Sequence, residues 1–423
     1  MKKIQLKDGV NLVVQPTTQF KTVHIAVDFA APLLQVDNIA ARSLLTYLTA
    51  VSAKQYPSQQ KVAQKTIDLY GAQYQTDVLR FGQTHHVRYT LQMPAPTYIG
   101  EESNLLHEAF AFLRDMIFDP FVSDGHFDQA TFAKEKQSLM NELDSLTDDK
   151  QRYAMSKLRE LTYDIPAMTI SSAGRGSDVE TLTSEIVYQA YQDMMTKDTM
   201  NIIVYGDVDE QRVVSELKAW PLLAHQEQPL QPFYRQALQS VIHEETDRQV
   251  DINQAIMTIA YRLAIAPDDP RRFVALVLNA LFGGSPLSKL FTNIREKASL
   301  AYSIYSRWQH DTGFITVAAG LDADKVSQTD TMIQAQITAI QAGDFSEETL
   351  SAIKASLVND YLSQQDTPSS EMGLIFSRLL TNRETTVDEW TDAVNAVTSA
   401  DVAKMAREVV IQSRFTLMPE VQE

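Results

Sequence analysis

The sequence predicts an α+β protein built from two similar α/β halves. Segments in which apolar and polar residues alternate, as in strands, are interspersed with segments whose apolar residues return every three or four positions, as in helices. This succession begins again in the second half of the chain. A polar stretch with three prolines, 221–247, separates the two runs and has the composition of a linker. We therefore expect one half over 1–220 and another over 248–423.

The first half begins with two alternating segments, Lys3–Pro16 and Thr22–Phe29, which predict strands joined by a turn. A mostly apolar run, Met200–Tyr205, predicts a buried strand that stops at Gly206. The other elements follow from the same two periodicities. They are the helices Asp37–Ala53, Gln60–Leu69, Leu105–Ile117, Phe127–Ser145 and Gln211–Trp220, and the strands Ala72–Leu79 and His85–Met93.

The second half begins with a strand and a helix, Val250–Arg262 and Arg271–Phe282. It ends with a helix and a short strand, Thr398–Val410 and Phe415–Met418. The segments between these ends follow the same rules. They are the strands Leu300–Trp308 and Phe314–Gly320, and the helices Thr329–Ala342 and Glu347–Tyr361.

An internal repeat supports the two-half organisation. At an offset of 218, Phe127–Glu142 aligns with Phe345–Asp360. At an offset of 215, Thr183 aligns with Thr398, each ahead of a helical segment. The repeat therefore predicts that the halves are two diverged copies of one unit of about 200 residues. The alternative is chance similarity between amphipathic helices. The residues that meet an identical partner at the first offset are Phe127, Lys136, Ser138, Leu139 and Asn141.

Composition excludes several classes of function. The chain has 423 residues, 44% of them hydrophobic, no cysteine and a net charge of −17. The absence of cysteine excludes disulfides, thiol nucleophiles and Cys-type zinc sites. We find no basic cluster for a nucleic acid, no apolar run long enough for a membrane span and no signal peptide. We therefore expect a cytoplasmic protein. Its acidic surface favours basic peptides or a basic partner, and the alternative is that the acidic charge only keeps the protein soluble.

The stretch Leu281–Trp308 contains the strongest candidate site. A Gly-Gly-Ser-Pro break is followed by a short helical pattern and then by a strand. Arg295 and Tyr302 fall on either side of the helix-to-strand turn, where both can donate to one carbonyl or carboxylate oxygen. The alternative is a tight connection with a solvated Arg and a half-buried Tyr. The apolar helical positions are Leu287, Leu290 and Ile294, and one strand face carries Tyr302, Ile304 and Trp308.

This stretch resembles a signature of the M16 zinc peptidases, the pitrilysin and mitochondrial processing peptidase family. The agreement covers SxLFxxIREKxxLAYSIYS, and Asn201–Asp209 and Asp251–Arg262 resemble the family's strands at the end of the first half and the start of the second. The resemblance implies a LuxS/MPP-like metallohydrolase fold whose two halves close like a clamshell on an extended peptide. It also implies that Arg295 and Tyr302 contact the substrate beside the metal.

The zinc motif of that family is missing. M16 peptidases carry H-x-x-E-H about ten residues before a run that resembles Lys54–Ser58 here. Counting back places Ser43 and Tyr47 at the two histidine positions and Thr46 at the general base. Ser and Tyr are poor zinc ligands at neutral pH, and Thr is no base there. We therefore predict neither a bound cofactor nor autonomous catalysis.

One part of the metal site survives in the sequence. Glu142 matches the family's third metal ligand and Glu135 its acidic neighbour, seven residues apart on one helical face. A carboxylate without its partner histidines predicts a solvated or helix-pairing residue rather than a metal site. The only histidine cluster, His85-His86, lies in a strand, where adjacent side chains point to opposite faces. We expect one of the two to be exposed and no metal to be held.

The resemblance favours a non-metal subunit of a heterodimeric M16-type peptidase. Such a chain supplies Arg295, Tyr302 and half of a peptide cavity to a zinc-bearing partner subunit, and it could form a homodimer when alone. One alternative is a catalytically dead scaffold that binds a peptide or a protein, and another is a homodimeric enzyme with an unrecognised metal site. The chain also resembles the Firmicute M16-like proteins associated with the 5-aminopentanol modification of elongation factor P, through Gln19–Ile25 and Leu69–Ala72.

Overall fold

The structure is a computed structural model that describes residues 2–35, 38–99 and 104–420. Asp37, predicted to begin a helix, lies outside these residues. The chain forms two compact units, and each unit includes a segment from the other half of the chain. The first comprises Met1–Ser145, Ser171–Pro232 and Thr367–Leu380, and the second comprises Leu146–Ile170, Phe233–Asp366 and Thr381–Glu423.

Strands and helices alternate along the described chain, which confirms the predicted α+β class. The strands are β1 (Lys3–Lys7), β2 (Val10–Pro16), β3 (Thr22–Pro32), β4 (Gln73–Phe81), β5 (Thr84–Pro94), β6 (Val122–Ser123), β7 (His126–Phe127), β8 (Thr199–Gly206), β9 (His243–Gln249), β10 (Ala255–Arg262), β11 (Ser303–Gln309), β12 (Phe314–Leu321) and β13 (Val410–Pro419).

The α-helices are α1 (Ile39–Val51), α2 (Gln59–Asp68), α3 (Leu105–Phe118), α4 (Gln129–Asp148), α5 (Lys150–Thr162), α6 (Pro166–Thr169), α7 (Gly176–Glu180), α8 (Ser184–Lys197), α9 (Glu210–Leu217), α10 (Arg272–Asn279), α11 (Val326–Gln341), α12 (Glu347–Gln364), α13 (Pro368–Thr381), α14 (Val387–Asn395) and α15 (Ser399–Ala406). Short 3₁₀ turns cover Leu33–Gln35, Pro96–Tyr98 and Ala323–Lys325, and π-helical segments cover Ala280–Gly284 and Leu290–Lys297.

The first unit contains a six-stranded sheet in the order β1-β2-β8-β3-β5-β4. Its central strand β3 is buried almost throughout because both faces of the sheet are covered. Helix α13, which lies in the second half of the sequence, packs on one face through Ile375 and Phe376. These side chains form an apolar cluster with Val13, Ala26, Ile203 and Tyr205.

The second unit contains a five-stranded sheet in the order β11-β12-β10-β13-β9. Read from the other end, its strand directions match those of β2-β8-β3-β5-β4: one parallel pair, β13 with β9, and antiparallel pairs elsewhere. The second unit has no strand corresponding to β1 within the described residues. The two sheets therefore share one topology, as the internal repeat predicts.

The repeat extends to matched side-chain contacts. The ammonium of Lys136 on α4 donates to the carbonyl oxygens of Glu180 and Leu182, at 2.8 and 2.9 Å. In the second unit, Lys354 on α12 donates to the carbonyl oxygens of residues 395 and 397, at 2.9 and 3.0 Å. Each lysine thus holds the chain just before a helix whose N-cap is a threonine. The two capping residues are Thr183 and Thr398.

Several elements of the second half begin elsewhere than the periodicity predicts. Strand β13 begins at Val410, predicted as helix, rather than at Phe415. Strand β9 lies inside the predicted linker, and Val250, predicted as strand, lies in the turn after it. The sequence of β9, HEETDRQ, has no apolar alternation because most of its side chains are exposed. Its strand conformation comes instead from parallel backbone pairing with β13. The predicted linker therefore ends before His243.

The stretch Leu281–Trp308 contains most of a first π-helical segment, Ala280–Gly284, and then a second, Leu290–Lys297, which is followed by β11. Leu290 and Ile294 are buried in this segment, whereas Leu287 is exposed in the turn that precedes it. The prediction that Leu287 shares their face is therefore wrong. Ser288 accounts for the later start of the helix, because its hydroxyl accepts from the N–H of Phe291 at 3.3 Å.

Candidate functional site

Helix α1 carries the positions where the zinc motif would stand. Asn38 caps this helix by accepting from the N–H of Ala41 at 2.9 Å. Ser43 and Thr46 are both buried. The hydroxyl of Thr46 donates to the carbonyl oxygen of Ser43 at 2.7 Å, within its own helix. Thr46 therefore makes an ordinary helix contact, and it lacks the carboxylate that a general base would need.

The third position, Tyr47, contacts the retained metal-ligand position directly. Its phenol donates a hydrogen bond to the carboxylate of Glu142 on α4. Burial raises the pKa of Tyr47 well above its usual value, and the hydrogen bond and charge of Glu142 raise it further, with smaller effects of Glu135 and Asp77. The phenol is therefore neutral at pH 7, and one oxygen of Glu142 is held by a proton donor.

Glu135, the acidic neighbour, is buried on the same helix. One of its carboxylate oxygens lies 3.2 Å from the ammonium of Lys134. Asp77 on β4 lies close enough to Glu142 for their charges to interact, and burial raises the pKa of Asp77. The surroundings of Tyr47 are thus acidic.

These residues do not fit a zinc ion. Structural and catalytic zinc sites use thiolate, imidazole and carboxylate ligands, whereas the positions that match the family's three ligands hold a buried serine, a neutral phenol and one carboxylate. Across the residues that the structure describes, no three His, Asp or Glu side chains are grouped so that they could hold a metal. We therefore assign no metal-dependent step to these residues.

The two adjacent histidines lie on opposite faces of the sheet, as predicted, but both are buried. The expectation that one is exposed is therefore wrong, because helices cover both faces of β5. His85 accepts from the Nε of Arg42 at 3.1 Å and lies 2.9 Å from the carbonyl oxygen of Ser172. Burial and the charge of Arg42 hold the pKa of His85 well below its usual range. Neutral His85 thus helps to position Arg42, which pairs with buried Asp198 at 2.6 Å.

On the opposite face, His86 takes part in a second buried network. Its Nδ1 lies 2.9 Å from Asp28, whose other carboxylate oxygen accepts from Arg88 at 3.1 Å. Burial raises the pKa of Asp28, but the charges of His86 and Arg88 outweigh this effect and the pKa is lowered. The guanidinium of Arg88 stacks on Phe376 of α13 at 3.9 Å. This network fastens α13 to the sheet, and we assign both histidines a structural role.

Arg295 and Tyr302 remain exposed and line one pocket of about 430 Å³. Arg295 lies near the end of the π-helical segment, where its guanidinium sits 4.7 Å from the ring centre of Phe291. Ser299, with φ +51°, makes the turn between the two residues. Tyr302 precedes β11 and is 56% exposed, rather than lying on the buried face with Ile304. The structure therefore brings the predicted pair to one pocket.

Two further residues of this pocket were missed by the sequence reasoning. The phenol of Tyr302 donates to Asp322 at 2.6 Å, and Asp322 pairs with Lys325 at 2.8 Å. The hydrogen bond and charge of Asp322 raise the pKa of Tyr302. The sequence signal that could have found Asp322 is its place directly after β12, the strand that pairs with β11. Gly320 of β12 accepts from the N–H of Tyr302 at 2.8 Å.

The proteins similar to this chain include inactive relatives of the M16 peptidases. Residues 181–357 match the model of the family described as Peptidase M16 inactive domain. The Bacillus subtilis protein named probable inactive metalloprotease YmfF is 28% identical over 419 residues, which are 97% of this chain and 96% of that protein. A crystal structure of a conserved protein from Enterococcus faecalis V583 is 32% identical, covers 100% of this chain and 99% of its own, and superposes with a TM-score of 0.95.

The chain is an inactive M16-like peptidase homologue. Ser43, Thr46 and Tyr47 stand at the positions that the resemblance assigns to the zinc motif. The M16 fold extends over the whole chain: a peptidase M16 inactive domain from Pseudomonas fluorescens covers 100% of this chain and 99% of its own with a TM-score of 0.80. Its 15% identity supports the fold alone.

Two further expectations concern a membrane span and the modification of elongation factor P. None of the helices in the described ranges is both long and apolar enough to span a bilayer. The resemblance to the proteins associated with modification of elongation factor P stays a prediction.

Proposed function

We propose that this M16 homologue is the non-metal subunit of a heterodimeric peptidase of the bacterial cytoplasm. In this proposal a zinc-bearing M16 subunit supplies the metal site. This chain supplies Arg295, Tyr302 and half of the peptide cavity. The substrate is an extended peptide, and the chain on its own has no peptidase activity.

The observation that carries the proposal is the contrast between the two sets of family positions. At the metal positions, Ser43 and Thr46 are buried and Tyr47 is bonded to Glu142. At the substrate positions, Arg295 and Tyr302 keep 44% and 56% of their surface exposed beside an open pocket. A fold that had become pure scaffold has no need for an exposed Arg and Tyr at these two positions.

The chemistry open to the pair is donation to oxygen. A guanidinium and a phenol can hold a peptide carbonyl and stabilise the negative charge that develops on it during hydrolysis. An extended substrate can pair with an exposed strand edge, and β11, which begins directly after Tyr302, is one edge of its sheet. Binding of this kind requires the phenol to exchange Asp322 for the substrate.

The test is co-expression with the M16 protein of the same organism that carries H-x-x-E-H. We expect a stable complex that cleaves an unstructured peptide, and at least a tenfold loss of activity with Arg295→Ala/Tyr302→Phe while the complex persists. The matched control is Arg307→Ala/Tyr305→Phe, which changes the same residue types on β11 outside the pocket. Absence of a complex, or equal cleavage by both double variants, would refute the proposal.

One observation favours a second candidate, a binding scaffold without catalysis. The phenol of Tyr302 is already engaged by Asp322, which lowers its availability to a substrate. A scaffold retains partner binding when Arg295 and Tyr302 are both replaced, whereas a peptidase subunit loses activity. Zinc bound at one ion per purified chain would instead favour a homodimeric enzyme.

A further inference from the structure

Strand β9 is an uncovered edge at a position that is covered in the other unit. The matching strand of the first unit, β2, pairs with β8 on one side and with β1 on the other. β9 pairs with β13 on one side only, in the described part of the chain. The two sheets otherwise share strand order and direction, so the second sheet lacks one strand.

The backbone of β9 presents free hydrogen-bonding groups along this edge. In a parallel pair, alternate residues direct both N–H and C=O to the same neighbour. The carbonyl of Gln249 accepts from the N–H of Glu420, so the odd-numbered residues of β9 face β13. The even-numbered residues therefore face outward. Consistent with this, the N–H of Arg248 donates to the side chain of Asp247 rather than to β13, which leaves Glu244 and Thr246 for a new strand.

The side chains along the edge are exposed and mostly acidic. Glu244, Glu245 and Thr246 are exposed, and Asp247 is half-buried against Tyr153, whose phenol donates to it at 2.8 Å. Glu244 is paired with Arg414, which also contacts Asp330 at 3.1 Å. Charged residues on an edge strand oppose pairing with an apolar or acidic strand, and they favour one that carries opposite charges.

Exposed apolar side chains flank both ends of the strand. Val241, which lies just before β9, is 68% exposed, and Val250, just after it, is 64% exposed. Leu238 and Ile242 add to the first group. Several large apolar residues beside one open edge are typical of a surface that another protein covers. A strand of seven residues laid along β9 would reach both groups.

We propose that the β9 edge binds an extended segment of another polypeptide, with a basic residue opposite Glu245 and apolar residues at its ends. The segment occupies the place that β1 occupies beside β2. Its backbone pairs with Glu244 and Thr246. This edge lies across the sheet from β11 and includes neither Arg295 nor Tyr302, so the proposal stands or falls apart from the proposed function.

The test measures binding of a fluorescent eight-residue peptide of alternating lysine and valine to the full chain by anisotropy. Thr246→Pro removes an outward N–H without touching the bonds to β13, and we expect it to weaken binding at least tenfold. Thr246→Val keeps the N–H and is the matched control, with an expected change of less than threefold. Glu245→Lys should also weaken binding, and more so at low salt than at high salt.

Three results would overturn the proposal. They are equal binding by Thr246→Pro and Thr246→Val, equal binding of a glutamate–valine peptide, and a wild-type dimer that Thr246→Pro converts to a monomer, which would assign the edge to a second copy. If Thr246→Pro fails to fold, a fully N-methylated lysine–valine peptide is tested on the unmodified chain. That peptide cannot donate backbone hydrogen bonds, and undiminished binding would again refute strand pairing.

Discussion

The phenol of Tyr47 on α1 donates a hydrogen bond to the carboxylate of Glu142 on α4. The two residues stand where the M16 resemblance places a histidine ligand and the glutamate ligand of zinc. The two helices thus contact each other directly through these side chains. The hydrogen bond satisfies one oxygen of a carboxylate whose charge interacts with that of Asp77.

Restoring the histidines tests whether the ligand geometry survives. Because Ser43 and Tyr47 are four residues apart on one helical face and Tyr47 already reaches Glu142, Ser43→His/Tyr47→His should bind about one zinc per chain. Elemental analysis of the dialysed protein measures this. Adding Glu142→Gln should abolish the bound zinc. Zinc content that is unchanged by the histidines, or indifferent to Glu142, would show that the positions no longer converge.

The raised pKa of Tyr47 predicts a dependence of stability on alkaline pH. Above about pH 10, the ordinary pKa of tyrosine, the unfolded phenol loses its proton while the folded phenol keeps it, so the free energy of unfolding falls as pH rises. Tyr47→Phe removes this contribution and should make the fall shallower by up to about one proton. Urea midpoints between about pH 9 and 11 measure it. Tyr98→Phe, at an exposed position, is the control, and an equal effect there would contradict the prediction.

The pocket around Tyr302 predicts two shifts of opposite sign. Asp322→Asn removes the negative charge that holds the phenol neutral, so the pKa of Tyr302 should fall towards its usual value. Lys325→Met removes a positive charge that favours the phenolate, so the pKa should rise. Titration of tyrosine labelled at Cζ, followed by NMR, reports both shifts. A pKa of Tyr302 that does not fall in Asp322→Asn would mean that Asp322 does not control this phenol.

The buried pair of Arg42 and Asp198 predicts a non-additive double variant. Arg42→Met leaves Asp198 as a buried, unpaired carboxylate and should cost about 3–5 kcal/mol of the stability of the first unit. Arg42→Met/Asp198→Leu removes both charges and should recover most of that loss. Chemical denaturation of the single and double variants measures the coupling. Additive losses would show that the two charges do not depend on each other.

Apolar periodicity was sufficient where an element packs one regular face against the core. Helix α3 spans Leu105–Phe118 against a predicted Leu105–Ile117, because its buried side chains recur at helical spacing. The internal repeat was visible because residues that make the same contacts in both units are the same in both, as Lys136 and Lys354 are. Strand β9 was missed because it has no buried face to leave an alternating pattern.

The candidate site was only partly predictable from the sequence. The positions of Arg295 and Tyr302 and the loss of the zinc motif followed from the family resemblance and residue spacing. The engagement of Tyr302 by Asp322 was not predictable from spacing, because β11 and β12 bring residues twenty apart into contact. The burial of both His85 and His86 depended on α13 and α1 covering opposite faces of the same sheet.

The sequence by itself determined the α+β class, the two-fold repeat and the loss of the H-x-x-E-H motif, because these depend on residue identity and on local periodicity. Only the tertiary structure decided which side chains meet. Segments far apart in the chain meet at the contact between Tyr47 and Glu142 and where Thr367–Leu380 enters the first unit. The open edge at β9 likewise follows from the pairing of β9 with the distant β13. Such contacts depend on how helices and strands pack, and packing leaves no regular spacing in the sequence.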